Sequence, residues 1–364
     1  MPEATPNPDA PPAAGQDAKP NPPSPRYRRD AVTWAFRLFL GREPKGPAEV
    51  DEYMPFESLA NLRARFVQMP EFQAYHDALV PRPKALFGLA PFLLRPPLED
   101  IPWRFEPPSM DQPVSQLCTA AQFAEPAFDE IREALVTPRR MHRRVWQHVY
   151  IVSVLASMGC IGKGRSAIGL GVQRDRIASL LASRGVEVVA IGRPGETTEQ
   201  ESRGGLHLFF PEIVQLEDFE LLVHFTEADL REPELDLGGP YDMCWSCAMA
   251  QHMGTLDKVT GLLEGSLNLL KPGGVAVHTL DFNVGSDSAT VEEPNFSIPR
   301  RRDIEALVTR LTRAGHEVLP LNLHPGHDTA DGVVDTPPYG LPHLKLQVGE
   351  HVVTSLGIAV RKRR

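Results

Sequence analysis

The sequence predicts an α/β fold: a Rossmann-like, doubly wound and mostly parallel sheet of seven strands behind a small N-terminal helical domain. Three observations carry this reading. Arg165–Gly192 reads as a strand, a Gly169-Leu170-Gly171 turn, a helix with Ile177, Leu180 and Leu181 on one face, and a second strand. That is the size and order of a nucleotide-binding βαβ unit. Tyr241–Phe282 reads as strand, loop, long helix over Leu256–Leu270, a Lys271-Pro272-Gly273-Gly274 turn and another strand. Finally, a helix over Arg302–Ala314, closed by Gly315, leads to His316–Leu323 and Val353–Val360, which are expected to pair antiparallel at the end of the sheet.

The elements ahead of the sheet follow from composition and spacing. Residues 1–26 are proline-rich and nearly devoid of large apolar side chains, too few to offset the entropy of ordering, so a disordered tail is expected. In 27–80, Ala31, Trp34, Ala35, Leu38 and Phe39 fall at helical spacing and Gly41-Arg42-Glu43-Pro44 stops the helix. Leu59, Leu62 and Phe66, then Phe72 and Tyr75, predict two further short helices. The phrase FRLFLGREPKGPAEVDEY resembles a small helical module of bacterial glycan-related and surface proteins. Its aromatic stripe reads either as its own core or as a face for a protein partner. Residues 81–114 form a proline-rich linker that partly packs on its neighbours through Leu93, Leu94, Trp103 and Phe105. From Ser115 the chain turns helical: Phe128, Ile131 and Leu135 share one face, and Val145, Val149, Val152 and Leu155 another.

Composition excludes several classes. The net charge of −9 gives no basic excess, which argues against a nucleic-acid binder. No apolar run spans a bilayer and the polar N-terminus is no signal peptide, so a cytoplasmic protein is expected. Four cysteines set no disulfide framework. Cys244-x-x-Cys247 reads as small buried residues, since no second pair completes a zinc site.

The two motif stretches together resemble the class I S-adenosyl-L-methionine (SAM)-dependent methyltransferases, over roughly Ser115–Lys362. Further matching phrases in the same order are SQLCTAAQ (Ser115–Gln122), HRRVWQHVYI (His142–Ile151), RRRDIEAL (Arg300–Leu307), DTPPY (Asp335–Tyr339) and VTSLGIAVRK (Val353–Lys362). They point to a bacterial, glycan-associated subfamily. The resemblance implies SAM as cofactor, held by Gly169, Leu170, Gly171, Gly192, Asp229, Leu230 and Ser246, with Asp229 against adenine. It implies methyl transfer to a hydroxyl of a sugar or glycan precursor. A hydroxyl acceptor benefits from a base, and His252 and His278 stand near the carboxyl ends of the fourth and fifth strands. The long segment Pro325–Glu350 is a candidate acceptor lid. Within and beside it His324, His327, Asp328 and Asp331 are a loose alternative as metal ligands, and no metal is expected.

The chain departs from the family at chosen places. Ala167 stands two before the first glycine, where an acid is usual; Gly192 and Arg193 replace the ribose-binding acid; Gln251 replaces an acid before His252; and Gln173 replaces a third glycine. Glu196 is a displaced substitute for the ribose acid. These departures leave a second reading, a methyltransferase-fold binding or scaffolding protein without catalysis. A nicotinamide dehydrogenase fits less well, because Arg174 stands where its fingerprint needs a glycine.

Overall fold

A computed structural model of the chain describes residues 25–72, 85–195, 203–232 and 235–364. The N-terminal tail up to residue 24, Tyr75 and Glu196 lie outside the described residues. The chain divides into two compact units, Met1–Arg82 and Pro83–Arg364.

Among the described residues the first unit contains the helices α1 (Pro25–Leu40), α2 (Pro47–Tyr53) and α3 (Leu59–Val67). Pro47 sits in the first turn of α2, where its missing N–H is not needed, and the Ser58 hydroxyl caps α3 by accepting from Asn61 N. Phe36 and Phe66 are fully buried and meet edge to face, 4.9 Å between ring centres. The aromatic stripe thus divides: Phe36 makes the core, while Trp34 and Leu38 stay exposed.

The second unit is built on one mixed sheet. Its main strands are β1 (Ser166–Leu170), β2 (Glu187–Gly192), β3 (Val223–Glu227), β4 (Tyr241–Cys247), β5 (Leu270–Asn283), β6 (Glu317–Val318), β7 (Lys345–Val348) and β8 (His351–Arg361). Across the sheet they run β3-β2-β1-β4-β5-β8, with β1 to β5 parallel and β8 antiparallel to β5. β6 and β7 both pair antiparallel with β8. The seven expected strands are present, and three more (Ala85–Leu86, Val333–Asp335 and β7) extend the sheet to ten.

One expected strand is shorter than its sequence suggests. Of His316–Leu323, only Glu317–Val318 pairs with β8; Leu321–Asn322 leaves to pair in parallel with Ser115–Gln116. Pro320 lies between the two pieces, and a proline cannot donate to a ladder. Much of Pro325–Glu350 is likewise structured, because Val333–Asp335 pairs with β7.

Helices cover both faces: α4 (Pro126–Ala134), α5 (Arg143–Ser157), α6 (Ile177–Ser183), α7 (Leu216–Leu222), α8 (Leu256–Ser266) and α9 (Arg301–Arg313). Trp146, Val149 and Val152 of α5 join Ala167, Trp245 and Val277 in one core. Val259 and Leu263 of α8 and Ile304, Leu307 and Val308 of α9 join Ile168, Cys244 and Ala276 in the other. Successive strand residues point to opposite faces, which is why Cys244 and Cys247 belong to opposite cores. All four cysteines are free thiols. α5 is buried all round, from Val145 to Leu155. Tyr150 donates to Val114 O at 2.7 Å and lies on Gly357, where any Cβ would overlap its ring. The proline-rich stretch packs on this unit, with Leu93 and Ile101 buried in its second core. No helix of the described residues is long and apolar enough to cross a membrane.

Candidate functional site

In an open parallel sheet a ligand crevice forms where neighbouring strands lead away in opposite directions, at the carboxyl ends of the strands. Here that point lies between β1, which is followed in space by β2 on one side, and β4 on the other. A cavity of about 400 Å³ opens there. Its walls come from the start of α5 (His142, Arg143, Arg144, Gln147), the turn after β1 (Gln173), the loop after β4 (Ala248, Gln251, His252), Asp281 of β5 and the 325–350 segment (Tyr339, His343). Ala248 holds φ = 50°, a conformation a non-glycine residue rarely adopts, and its amide donates to Thr279 O at 2.9 Å. That turn aims the following residues into the cavity mouth. Gln251 is only 3% exposed, and its Oε1 has no hydrogen-bond partner.

The basic side chains of the α5 start have different partners. Arg143 is paired with Asp281. Arg144 donates to Gln173 Oε1 at 2.8 Å and forms no ion pair among the described residues. His142 caps α5 by accepting from Arg144 N at Nδ1, and burial first, then the neighbouring His343 and arginines, holds it neutral at a pKa of about 3. Its ring stacks on His343, 4.4 Å between centres, where the 325–350 segment bridges back to α5. His343 Nδ1 lies 2.6 Å from Asp335 Oδ2. Burial lowers the His343 pKa and the Asp335 carboxylate opposes that shift. With the carboxylate ionised, Nδ1 carries the hydrogen and Nε2 remains an acceptor, on a ring that lines the cavity.

The 325–350 segment is fixed from behind by Lys345. Fully buried, its ammonium donates to Pro325 O and Asp331 O, each at 2.8 Å, and lies 3.5 Å from Asp331 Oδ1. The Asp331 carboxylate also accepts from Ala120 N at 3.0 Å. Committed to Lys345, Asp331 does not join His324, His327 and Asp328 around a cation, and no cluster of metal-binding side chains exists among the described residues.

The glycines of the turn and of β2 have different surroundings. Gly171 takes φ = 65°, so the turn requires glycine there, and a Cβ would overlap the Met249 side chain that lies over it. The turn is thus a cradle one flexible side chain deep, next to Gln173 of the cavity. At the far end, a Cβ on Gly192 would lie 2.5 Å from Phe225 Cζ, so an aromatic ring covers the place where the family carries its ribose acid. Gly169 accommodates the Trp245 ring within the sheet face and faces no opening. Leu170 and Leu230 line a second cavity, of about 560 Å³, between the loop after β3 and α8. Asp229, the expected adenine contact, is held by Arg231 in a two-pronged pair at 2.8 and 2.7 Å, which lowers its pKa to about 2.

Of the two expected histidine bases, His252 lines the cavity, 5.5 Å from the Phe296 ring. His278 does not. It is buried with Ser246 Oγ 2.8 Å from Nδ1 and Ser266 Oγ 2.9 Å from Nε2. Ser266 gives its own hydrogen to Leu263 O, so it accepts from Nε2–H, and Ser246 therefore donates to Nδ1. Both ring nitrogens and the expected cofactor contact Ser246 are spent on holding β4, β5 and α8 together. His278 lies on a strand buried on both faces, and its side chain packs between Ser246 and Ser266 instead of lining the cavity.

Burial also sets a pH dependence. His278 has its pKa lowered to about 4 and His148 to about 3, in both cases by desolvation first. In the unfolded chain these imidazoles take protons near pH 6.5, while in the folded chain they stay neutral to much lower pH. The unfolded state then binds more protons, so stability is full above about pH 6.5 and falls as the pH drops towards about 4. The urea midpoint is expected to be lower at pH 5.0 than at pH 7.5, by less in His278→Gln. An unchanged wild-type midpoint contradicts this.

No protein-family model matches the chain, and no curated protein matches its sequence. Solved structures do resemble it. The CcbJ methyltransferase from Streptomyces caelestis is 14% identical over 66% of this chain and 98% of its own, with a TM-score of 0.36. A 1,6-didemethyltoxoflavin-N1-methyltransferase from Burkholderia thailandensis, with 1,6-didemethyltoxoflavin and S-adenosylhomocysteine bound, is 15% identical over 66% of this chain and 80% of its own, with a TM-score of 0.33. At such scores the weight falls on the strand order itself. Five parallel strands in the order 3-2-1-4-5, closed by an antiparallel last strand and flanked by helices, make an α/β Rossmann-like fold.

Proposed function

We propose that this protein is a SAM-dependent methyltransferase acting on a hydroxyl of a sugar or glycan precursor. The single observation behind it is the polar cavity at the switch point of a methyltransferase-type sheet, adjoining a turn that only glycine can form. The backbone of Gly169–Gly171 would hold the donor's methionine end once Met249 swings aside, and Leu230 would border its adenine. When bound, SAM supplies an activated methyl group. The chain's own work is alignment and proton removal. Gln251 Oε1 accepts a hydrogen from the acceptor, His343 Nε2 takes the proton of the reacting hydroxyl, and Asp335 keeps the His343 ring oriented. His252 stands at the cavity mouth as an additional acceptor contact.

A second reading has a specific observation in its favour. Met249 over Gly171, Phe225 over Gly192 and Arg231 on Asp229 together fill or engage the ordinary donor contacts. A binding protein that has given up catalysis would look the same. Methyl transfer from labelled SAM into a glycan fraction of cell extract separates the two.

A further inference from the structure

Among the described residues the cavity carries a cation without an ion pair and a buried polar atom without a hydrogen-bond partner. Arg143 and Arg144 are neighbours at the start of α5, yet only Arg143 is neutralised, by Asp281. The Arg144 guanidinium meets the neutral amide of Gln173 and makes no ion pair among the described residues, although the buried Asp175 lies near enough to feel its charge. In the same cavity the Gln251 carboxamide is buried with Oε1 unpartnered. A buried acceptor left unpaired costs roughly 1–3 kcal/mol, so a ligand that donates to it recovers that cost. Planar guanidinium groups bind carboxylates through two parallel N–H donors.

We infer that the cavity is a recognition site for a sugar acid, a polyhydroxylated compound bearing a carboxylate, with Arg144 on the carboxylate and Gln251 on a hydroxyl. The volume of about 400 Å³ is in the range of small-molecule sites. Two other wall residues keep capacity for hydroxyls: Tyr339, whose hydroxyl donates to Gln347 O at 2.7 Å, can still accept, and Gln147, which donates to Ser355 Oγ at 2.8 Å, keeps a second N–H. The inference names the acceptor class for the proposed methyl transfer and rests on that reading for its purpose, but binding itself requires no methyl donor.

The test is calorimetric titration of the full chain, without SAM, with D-glucuronate and with D-glucose as its neutral counterpart. Glucuronate is expected to bind at least about tenfold more tightly than glucose, a difference of about 1.4 kcal/mol. Arg144→Gln should abolish that preference, Arg144→Lys should retain part of it, and Gln251→Leu should weaken both sugars. Thermal melts of each variant establish that it is folded. Equal binding of the two sugars, no binding of either, or a preference that survives in folded Arg144→Gln overturns the inference. Should the Gln variant not fold, the wild-type preference and its reduction in Arg144→Lys decide. Glucuronate binding with no methyl transfer to any glycan would sink the catalytic reading and leave the binding site standing.

Discussion

Gly171→Val is expected to unfold the site from within. The residue sits at φ = 65°, where a β-branched side chain is strained by about 1–3 kcal/mol. The new Cβ would also overlap Met249 Cγ and Sδ, so the thioether arm must rotate away, and a tight 3.1 Å contact with Met249 Cβ would remain. Overpacking of this kind costs about 1–3 kcal/mol more. A total loss of about 3 kcal/mol corresponds to a fall in melting temperature of roughly 5 °C for a unit of this size. Calorimetry with S-adenosylhomocysteine should register binding to the wild type and none to the variant, since the branched side chain stands in the donor's cradle. A variant as stable as the wild type would show that Met249 moves freely away from the turn.

Lys345→Ala should cost more. The ammonium is fully buried and supplies donors to two carbonyls and a carboxylate. Removing it leaves Asp331, 3% exposed, without its counter-charge, and breaking a buried pair from one side typically costs about 3–5 kcal/mol. Burial lowers the Lys345 pKa and raises that of Asp331, so the two charges depend on one another to stay ionised. The consequence reaches the cavity, because Lys345 anchors the segment that presents Asp335, Tyr339 and His343. Urea denaturation should show the loss in stability. Adding Asp331→Asn to Lys345→Ala should recover part of it by removing the stranded carboxylate. A single variant within 1 kcal/mol of wild type, on the order of a neutral surface change, would mean that the pair is not buried in solution.

How much of this was legible beforehand follows from the range of each interaction. The βαβ unit is a local pattern, and β1, α6 and β2 fall where periodicity and the glycine turn put them. The Lys-Pro-Gly-Gly stretch marked the next parallel strand, although β5 starts earlier, at Leu270, and runs on to Asn283. The antiparallel strand pair was half right, since Pro320 diverts the chain after Val318. The geometry of the candidate cavity is less legible in the sequence, for a physical reason. Its working geometry is non-local: His343 meets His142 across the fold, and Asp335 and His343 come together only because Val333–Asp335 and β7 pair in parallel. A Pro-rich, polar stretch has no hydrophobic period to announce such a pairing. Position along a strand brought His278 to notice, but strand alternation turns it into the core against two serines. Gln251 stands where an acid is usual, and its buried carbonyl without a hydrogen-bond partner among the described residues emerges only from the fold.

Methyl transfer from SAM to a sugar hydroxyl is the proposal most directly open to test. The most direct measurement incubates the purified chain with methyl-labelled SAM and cell extract, then follows label into the glycan fraction. The account predicts protein-dependent label there, lost in Gly171→Val and strongly reduced in His343→Ala. Binding of SAM with no label transferred to any glycan would contradict it and favour the non-catalytic reading.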